Sequence, residues 1–407
     1  MTNICIKGVT YELYPNKTMK KVLDRNCDYR RYCWNQALAL WNDLYDAYTI
    51  LHTNDLNPKP NWHLVRNQLV REKADWQYYY SSRILQLAVQ DLGNAWQKYF
   101  TKTQPDWNKP KFKTKRDLKQ GFKSDAARIV SGKLVLDKPL ILKQKWSAIK
   151  LSEPPLDYPT GVMSFYRIRD HYFVAISYKI PKNDIKAKAK TGKVTGVDAN
   201  VGHFNYFAGV KYILPPKLQH NYQRIKYYQR MLARKREVNG KKQVLNSKKY
   251  LQTKTKLQAA YQKITNIQND LMQKFTTELV TDYDAIVIED LDVKHMLMSH
   301  VASKGMQKSM FGKFRQILTY KCDWYDRKLI IANKRYPSTQ RCAVCGTVKK
   351  GDERITLRGN KKHHTKHNEF ICYNPACPNY NQKVDRDENA MLNLTLLVKH
   401  PELNKEL

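Results

Sequence analysis

Acidic residues are scarce in this chain of 407 residues: 36 Asp and Glu stand against 73 Lys and Arg, a formal net charge of +37. A folded chain this cationic repels itself unless it meets a polyanion, so the excess is too large to serve solubility alone. No apolar run approaches the roughly 20 residues that a membrane span needs, and no membrane partner is expected. The opening residues, through Tyr14-Pro15, lack the apolar core and small-residue cleavage site of a secretory signal. There is no internal repeat, and no low-complexity tract beyond the lysine-rich stretches. Of the eight cysteines, Cys5, Cys27, Cys33 and Cys322 lie scattered without ligand spacing and read as core residues. With the other four grouped as metal ligands, the cysteines fit a reducing interior better than a disulfide framework, and cytosol or nucleoid is the expected compartment.

What is present points to nucleic acid. Aromatic residues make up 11% of the chain, with 27 Tyr and 8 Trp, many of them among lysines. Flat rings interleaved with cations suit grooves that follow phosphates and stack bases. A structural RNA binder of ribosomal type has the same composition. Between Lys217 and Lys263 there are 14 Lys and Arg and one acid, Glu237. Such a run reads as a solvated helix face or as a phosphate-binding surface. Arg224, Arg230, Arg234, Lys235 and Arg236 are its candidate contacts, with Lys111, Lys113 and Lys115 of the basic segment 105–123. Tyr78, Tyr79, Tyr80, Ser81 and Ser82 are either contacts to a DNA motif or ordinary exposed residues.

The periodicity predicts a strand over residues 4–14, a helix over 18–51, and a second helical block over 62–101 with the stripe Ile84, Ala88, Leu92, Ala95, Trp96 and Tyr99. Short strands follow at 129–130, 133–136, 141–142, 149–151, 161–168 and 172–178, spaced as in a small β-barrel. Residues 181–193 read as a linker. Beyond it come a strand at 193–198, two helices about the turn dipeptide Asn239-Gly240, the apolar strand 285–288, a helix over 311–327, a strand over 328–333, and a last helix over 388–399.

Two groups of residues carry chemistry. Cys342-x-x-Cys345 and Cys372-x4-Cys377, separated by 26 residues, supply four thiolates that can close one tetrahedral structural zinc site. His363, His364 and His367 lie between the pairs as alternative ligands. Asp198 ends one predicted strand, Glu289 ends another, and Asp387 stands at the start of the last helix. Acids so placed can converge although distant in sequence, and an all-oxygen donor set selects Mg²⁺ or Mn²⁺, two of which can activate water at a phosphodiester. Each acid also has a structural alternative: Asp387 as a helix N-cap, Glu289 paired to a lysine of the basic helices, Asp198 at a turn.

Gly196-Val-Asp198-Ala-Asn-Val-Gly202, Ile286-Val-Ile-Glu289-Asp-Leu and Asp385-Arg-Asp387-Glu-Asn389-Ala390 together resemble the split RuvC-like motifs of TnpB proteins, RNA-guided nucleases encoded by insertion-sequence transposons. Tyr14-Pro15, the loop Lys109 to Lys115, and Tyr336-Pro-Ser-Thr-Gln-Arg-Cys342-Ala-Val-Cys345-Gly346 are similar to that family as well. The resemblance runs through essentially the whole chain. It departs at Cys372-x4-Cys377, where the family more often has two intervening residues, and at Asp198-Ala-Asn-Val-Gly, where it commonly has Asp-Leu-Gly.

The resemblance implies an α/β multidomain protein. Residues 1–15 and 105–190 would form a β-barrel wedge domain, with a helical recognition domain, 16–104, inserted. Residues 191–337 and 381–407 would form an RNase H-like (RuvC) nuclease domain, with 338–380 as its zinc-binding insert. Asp198, Glu289 and Asp387 would be the catalytic acids holding two Mg²⁺ or Mn²⁺ ions, with Asp387 preferred to Asp385. The implied partners are a guide RNA from the transposon end and double-stranded target DNA, for a bacterial, nucleoid-associated protein with a monomer favoured. A compact type V CRISPR effector and a non-cleaving repressor are the alternatives.

Overall fold

A computed structural model describes residues 4–51, 59–101, 108–115, 117, 119–137, 147–238, 241–242, 247–291, 310–356, 358–360 and 362–404. The chain divides into two compact units, Met1–Asp184 and Ile185–Leu407.

The first unit is built on strand β1 (Ile4–Tyr14), helices α1 (Lys17–Leu51), α2 (Trp62–Arg71) and α3 (Ser82–Thr101), and strands β2 (Lys119–Ser124), β3 (Arg128–Val130), β4 (Lys133–Val135), β5 (Ile149–Leu151), β6 (Thr160–Ile168) and β7 (His171–Pro181). The strands form one antiparallel sheet in the order β2-β6-β7-β1-β5-β4-β3. β1 and β7 pair along their whole length, from Ile4 opposite Pro181 to Leu13 opposite Tyr172. Alternate residues of β7 (Tyr172, Val174, Ile176, Tyr178 and Ile180) are buried, as one covered sheet face requires. The predicted stripe packs α3 on α1, with Trp96 stacked on Trp41 at 5.9 Å.

The predicted second helical block is two helices rather than one. Residues Asp75–Tyr79 form a 3₁₀ turn between them, and Tyr80 stacks on Tyr29 of α1 at 4.3 Å. The aromatic run thus folds back onto α1 instead of continuing a helix. The predicted strand 141–142 lies outside the described residues.

The second unit contains strands β8 (Val194–Asn200), β9 (His203–Tyr206) and β10 (Gly209–Tyr212), then helix α4 (Pro216–Arg236), the two-residue strands β11 (Glu237–Val238) and β12 (Lys241–Lys242), and helix α5 (Lys248–Asp282). The predicted turn residues Asn239 and Gly240 lie outside the described residues, but the strands flanking them pair as a hairpin. Strand β13 (Ala285–Glu289), helix α6 (Phe311–Trp324), strands β14 (Lys328–Ala332), β15 (Glu369–Ile371) and β16 (Lys383–Asp385), and helix α7 (Arg386–Leu396) complete it.

Its main sheet runs β10-β9-β8-β13-β14, with β13 parallel to both β8 and β14 and the first three strands antiparallel. Both faces of its centre are covered, which is why Ala285–Ile288 is apolar without alternation. Val197, Ile286 and Ile288 pack with α5 and α6, while Val287 and Ala332 pack with Leu394 and Leu397 of and just beyond α7. α6 stops at Trp324, three residues before the predicted end. Asp326 turns left-handed (φ 51°), and the buried Arg327 guanidinium donates to the carbonyls of Val280 and Ala189 and to Asp284. No helix among the described residues is long and apolar enough to cross a membrane.

Candidate functional site

Strand parity sets the first two acids. On β8, Gly196 and Asp198 face α7 while Val197 faces the opposite core; on β13, Val287 and Glu289 share that α7 side. The parallel register pairs Ile288 with Val197, so Glu289 stands one step on, level with Asp198. β8 extends two residues past Asp198, contrary to the expectation that this acid ends the strand. Asp198 is 3% exposed and accepts from Asn200 Nδ2 at 2.7 Å. Glu289 accepts from Ser338 Oγ at 2.6 Å and has no lysine partner among the described contacts.

The third acid comes from α7. Its N-cap is Asp385, whose Oδ1 accepts from the backbone N–H groups of Asp387 and Glu388 at 2.9 and 3.0 Å. Capping therefore falls to Asp385 and leaves the Asp387 carboxylate free for other partners. Its Oδ1 receives Arg386 Nη2 at 2.9 Å and Nε at 3.2 Å, and His203 Nε2 lies 3.5 Å from its Oδ2. Helix α7 reaches this position because Gly196 has no side chain: a Cβ there would stand 2.4 Å from Met391 O and 2.6 Å from Leu394 Cβ. The Gly196 N–H donates to Thr395 Oγ1 at 2.7 Å, closing the contact.

The three acids act on one another. Burial pushes the Asp198 carboxyl well above its ordinary value, Glu289 and Asp387 push it further, and Asn200 and Arg386 oppose them. Glu289 is also raised, first by burial and then by Asp387, against Ser338 and Arg386. Fully ionised, three carboxylates beside one guanidinium leave two negative charges without an answer. A divalent cation supplies that deficit, and an all-oxygen donor set fits Mg²⁺ or Mn²⁺. The acids nevertheless stand looser than the cysteines, which are the group of described residues whose ligand atoms all lie within 4.8 Å of one another. A cavity of about 460 Å³, lined by His203, Tyr212, Asp387 and Glu388 among others, opens onto Asp387.

The four predicted cysteines do come together. Cys342 Sγ lies 3.8 Å from Cys377 Sγ, and Cys345 Sγ lies 3.6 Å from Cys372 Sγ. Ligands about 2.3 Å from a tetrahedral zinc stand about 3.8 Å apart, so the spacing fits zinc and is far too long for a disulfide. None of His363, His364 and His367 belongs to the group; the His363 ring instead stacks on Tyr373 at 3.8 Å. Lys349, buried over Phe370 and Tyr373, places a positive charge near the thiols of Cys342 and Cys372.

The predicted nucleic-acid contacts differ among themselves. Arg224, Arg230, Arg234 and Arg236 are exposed on α4, and Lys235 is half-buried. Arg224 leans on Tyr228 and Arg236 on Tyr250. In the first unit Lys111 and Lys115 are exposed, but Lys113 lies with its ammonium 3.8 Å from the Trp34 ring centre, and burial lowers its pKa to about 8. Tyr78 and Tyr79 are exposed, whereas Ser81 is buried against Asp137.

Sequence reasoning assigned no role to Arg386, His203, Asn200, Ser338 or Asn393. Ser338 and Arg386 lie inside recognised motifs, yet nothing in those motifs names their partners. Asn389 and Asn393, one helical turn apart, clamp the loop that enters the cysteine segment: Asn389 bonds Ala343 N and Arg341 O, and Asn393 Nδ2 bonds the carbonyls of Ser338 and Arg341. Two amides four residues apart on an otherwise apolar helix face were a readable signal.

Fold and sites together define an α/β protein with a buried acid cluster and a group of four cysteines, spaced to hold a metal ion, just before its last helix. Residues 311–394 match the family model for a "Cas12f1-like, TNB domain", residues 167–300 one described as "Probable transposase" (OrfB of IS605), and residues 1–49 one described as "Helix-turn-helix domain". The last span is here a strand and a single long helix. The chain is 33% identical over 94 residues to a Streptomyces pristinaespiralis protein named "Putative RNA-guided DNA endonuclease", covering 23% of each chain. The "Putative RNA-guided DNA endonuclease InsQ" of Escherichia coli K12 is 32% identical over 110 residues, 23% of this chain and 27% of that one. The TnpB-like protein L79 of Acanthamoeba polyphaga mimivirus is 27% identical over 144 residues, 34% of this chain and 24% of that one. The matches thus span about a quarter of the length of these relatives. In fold, the chain is similar to Cas12f1 as solved in a complex with sgRNA and target DNA, with a TM-score of 0.52, 12% identity, and 97% and 99% of the two chains covered. Across these matches the chain is similar to the TnpB-like proteins and to the OrfB proteins of IS605.

Proposed function

We propose that this protein is an RNA-guided endonuclease, encoded by an insertion-sequence transposon, that cuts double-stranded DNA beside a short motif. The observation that carries this reading is the meeting of Asp198, Glu289 and Asp387 on the α7 side of the sheet, each within the field of the others. The sheet order, three antiparallel strands followed by two parallel ones, supports an RNase H-like nuclease domain over 191–337 and 381–407. The seven-stranded antiparallel sheet with α1–α3 supports the wedge and recognition reading of the first unit. The solved relative, Cas12f1 in a complex with sgRNA and target DNA, supports the same two partners here.

In this mechanism Asp198, Glu289 and Asp387 would hold the catalytic cations, Mg²⁺ or Mn²⁺. When bound, two such ions activate a water and stabilise the leaving oxygen of the phosphodiester. Asn200 and Ser338 fix which carboxylate oxygens face outward. Arg224, Arg230, Arg234, Lys235 and Arg236, with Lys111 and Lys115, hold the backbone of the guide–target heteroduplex, which is read by its shape. Cys342, Cys345, Cys372 and Cys377 would hold one structural zinc, which would tie the two cysteine pairs of residues 338–380 together.

The test starts from protein purified from cells that carry its native flanking DNA. Sequencing of the bound RNA is expected to give one abundant species whose 3′ end runs past the transposon boundary. Target DNA designed from it should be cut with Mg²⁺ and left intact by Asp198→Ala. Repeat-derived RNA ends would point to the CRISPR effector reading, which the match to a Cas12f1-like domain keeps in view. Equal absence of cleavage in wild type and variant would leave only a binding protein.

A further inference from the structure

The acid cluster contains a cation of its own. Arg386 sits between Asp385 and Asp387 in sequence, and its side chain is 17% exposed beside the 15% exposed Asp387. Its backbone N–H is fixed by Asn368 O at 2.9 Å, so the side chain starts from an anchored point. Nε and Nη2 both donate to one oxygen, Oδ1 of Asp387, and His203 stands by the other. The same guanidinium lowers the pKa of Asp198 and Glu289 without bonding either, and so serves the whole cluster. The next acid in sequence after Glu289, Asp290, does not share in this: it is paired to Arg315. A guanidinium cannot shed its charge, and charge-assisted bonds of this kind are about twice as strong as neutral ones.

We propose that Arg386 is the built-in counter-ion of the acid cluster, holding Asp387 until a divalent cation displaces it. The side chain that stabilises the protein before metal binds therefore opposes metal binding. The inference rests on the cluster being a metal site. It follows from charge: a cation that takes Asp387 Oδ1 has to break two charge-assisted hydrogen bonds, and once it is bound the cluster no longer needs the guanidinium. The two positive groups compete for one carboxylate, and competition for one site is negative coupling.

The experiment is thermal denaturation of the full, zinc-loaded chain, without added Mn²⁺ and across a MnCl₂ series, for wild type, Arg386→Gln, Arg386→Lys and Asp198→Asn. Arg386→Gln is expected to melt lower without Mn²⁺, gain more from Mn²⁺, and reach half its gain at about a tenfold lower Mn²⁺ concentration, within the usual range for coupled sites. Arg386→Lys keeps the charge but not the two-point grip, so it should fall between the two and remain measurable if the glutamine variant does not fold. A purely structural role would lower the melting point and leave the half-saturating concentration unchanged, which overturns the proposal. Weaker Mn²⁺ binding by Arg386→Gln overturns it too, by making Arg386 a helper of the metal. If wild type and Asp198→Asn respond alike to Mn²⁺, the metal-site reading fails. The proposal rests on that reading and falls with it, whereas a lost response in Asp198→Asn beside an unchanged half-saturating concentration in Arg386→Gln overturns the proposal alone.

Discussion

Replacing Gly196 by alanine should separate the acids without touching any of them. The added Cβ would lie 2.4 Å from Met391 O, 2.6 Å from Leu394 Cβ and 2.9 Å from Thr395 N. Two of these three atoms are backbone, so no side-chain rotation relieves the clash, and α7 has to move away from β8. Overpacking of this kind costs about 1–3 kcal/mol. At about 2–4 °C per kcal/mol for a body of this size, the melting temperature should fall by roughly 2–12 °C. The hydrogen bond from Gly196 N–H to Thr395 Oγ1 stretches with the shift. Asp387 rides on the first turn of the displaced helix, and a displacement of about 1 Å can cost on the order of 100-fold in rate. The assay is Mg²⁺-dependent cleavage of guide-matched DNA at saturating Mg²⁺, measured beside thermal denaturation. Gly312→Ala is the control: nothing lies within 4 Å of a Cβ there, and on α6 the change should be neutral or stabilising by up to about 1 kcal/mol. An unchanged melting temperature and cleavage rate in Gly196→Ala would refute the claim that this glycine sets the site.

Other substitutions probe separate parts of the second unit. Cys345→Ser should drop the zinc content of purified protein from one per chain toward none and expose residues 338–380 to amide exchange; full zinc retention would refute the four-thiolate assignment. Asn393→Ala strips a donor from the buried carbonyls of Ser338 and Arg341 and should cost about 1–3 kcal/mol in urea denaturation, so an unmoved midpoint contradicts the clamp. Lys321, buried with its ammonium on Gln273 O, Thr276 Oγ1 and Thr277 Oγ1, has its pKa lowered by desolvation to about 8. The folded value lies below the unfolded one, so the folded state releases its proton first. Stability should therefore rise with pH between about 8 and 10.5, by at most about 3 kcal/mol. That rise should be missing in Lys321→Met, and identical pH profiles for the two proteins would show that the ammonium is not penalised.

Elements with a local signal were legible along the chain. The stripe of α3, the apolar run of β13 and the two cysteine pairs are fixed by spacing along the chain, and spacing survives without tertiary context. The motifs likewise marked Asp198, Glu289 and Asp387 as acids of interest, although each kept a structural alternative. Only the tertiary structure decided among those alternatives. Which aspartate caps α7 depends on where the N–H groups of one helical turn point, and they point at Asp385. The partners of Glu289 and Asp198 are Ser338, 49 residues away, and Asn200, which becomes a partner only because β8 runs past the acid. The break in the second helical block followed from a ring 51 residues upstream, Tyr29, which no local window contains. The competition between Arg386 and a cation for Asp387 is of the same kind. Composition records one more arginine in a basic chain, and only packing places it on Asp387 and within reach of the charges of Asp198 and Glu289.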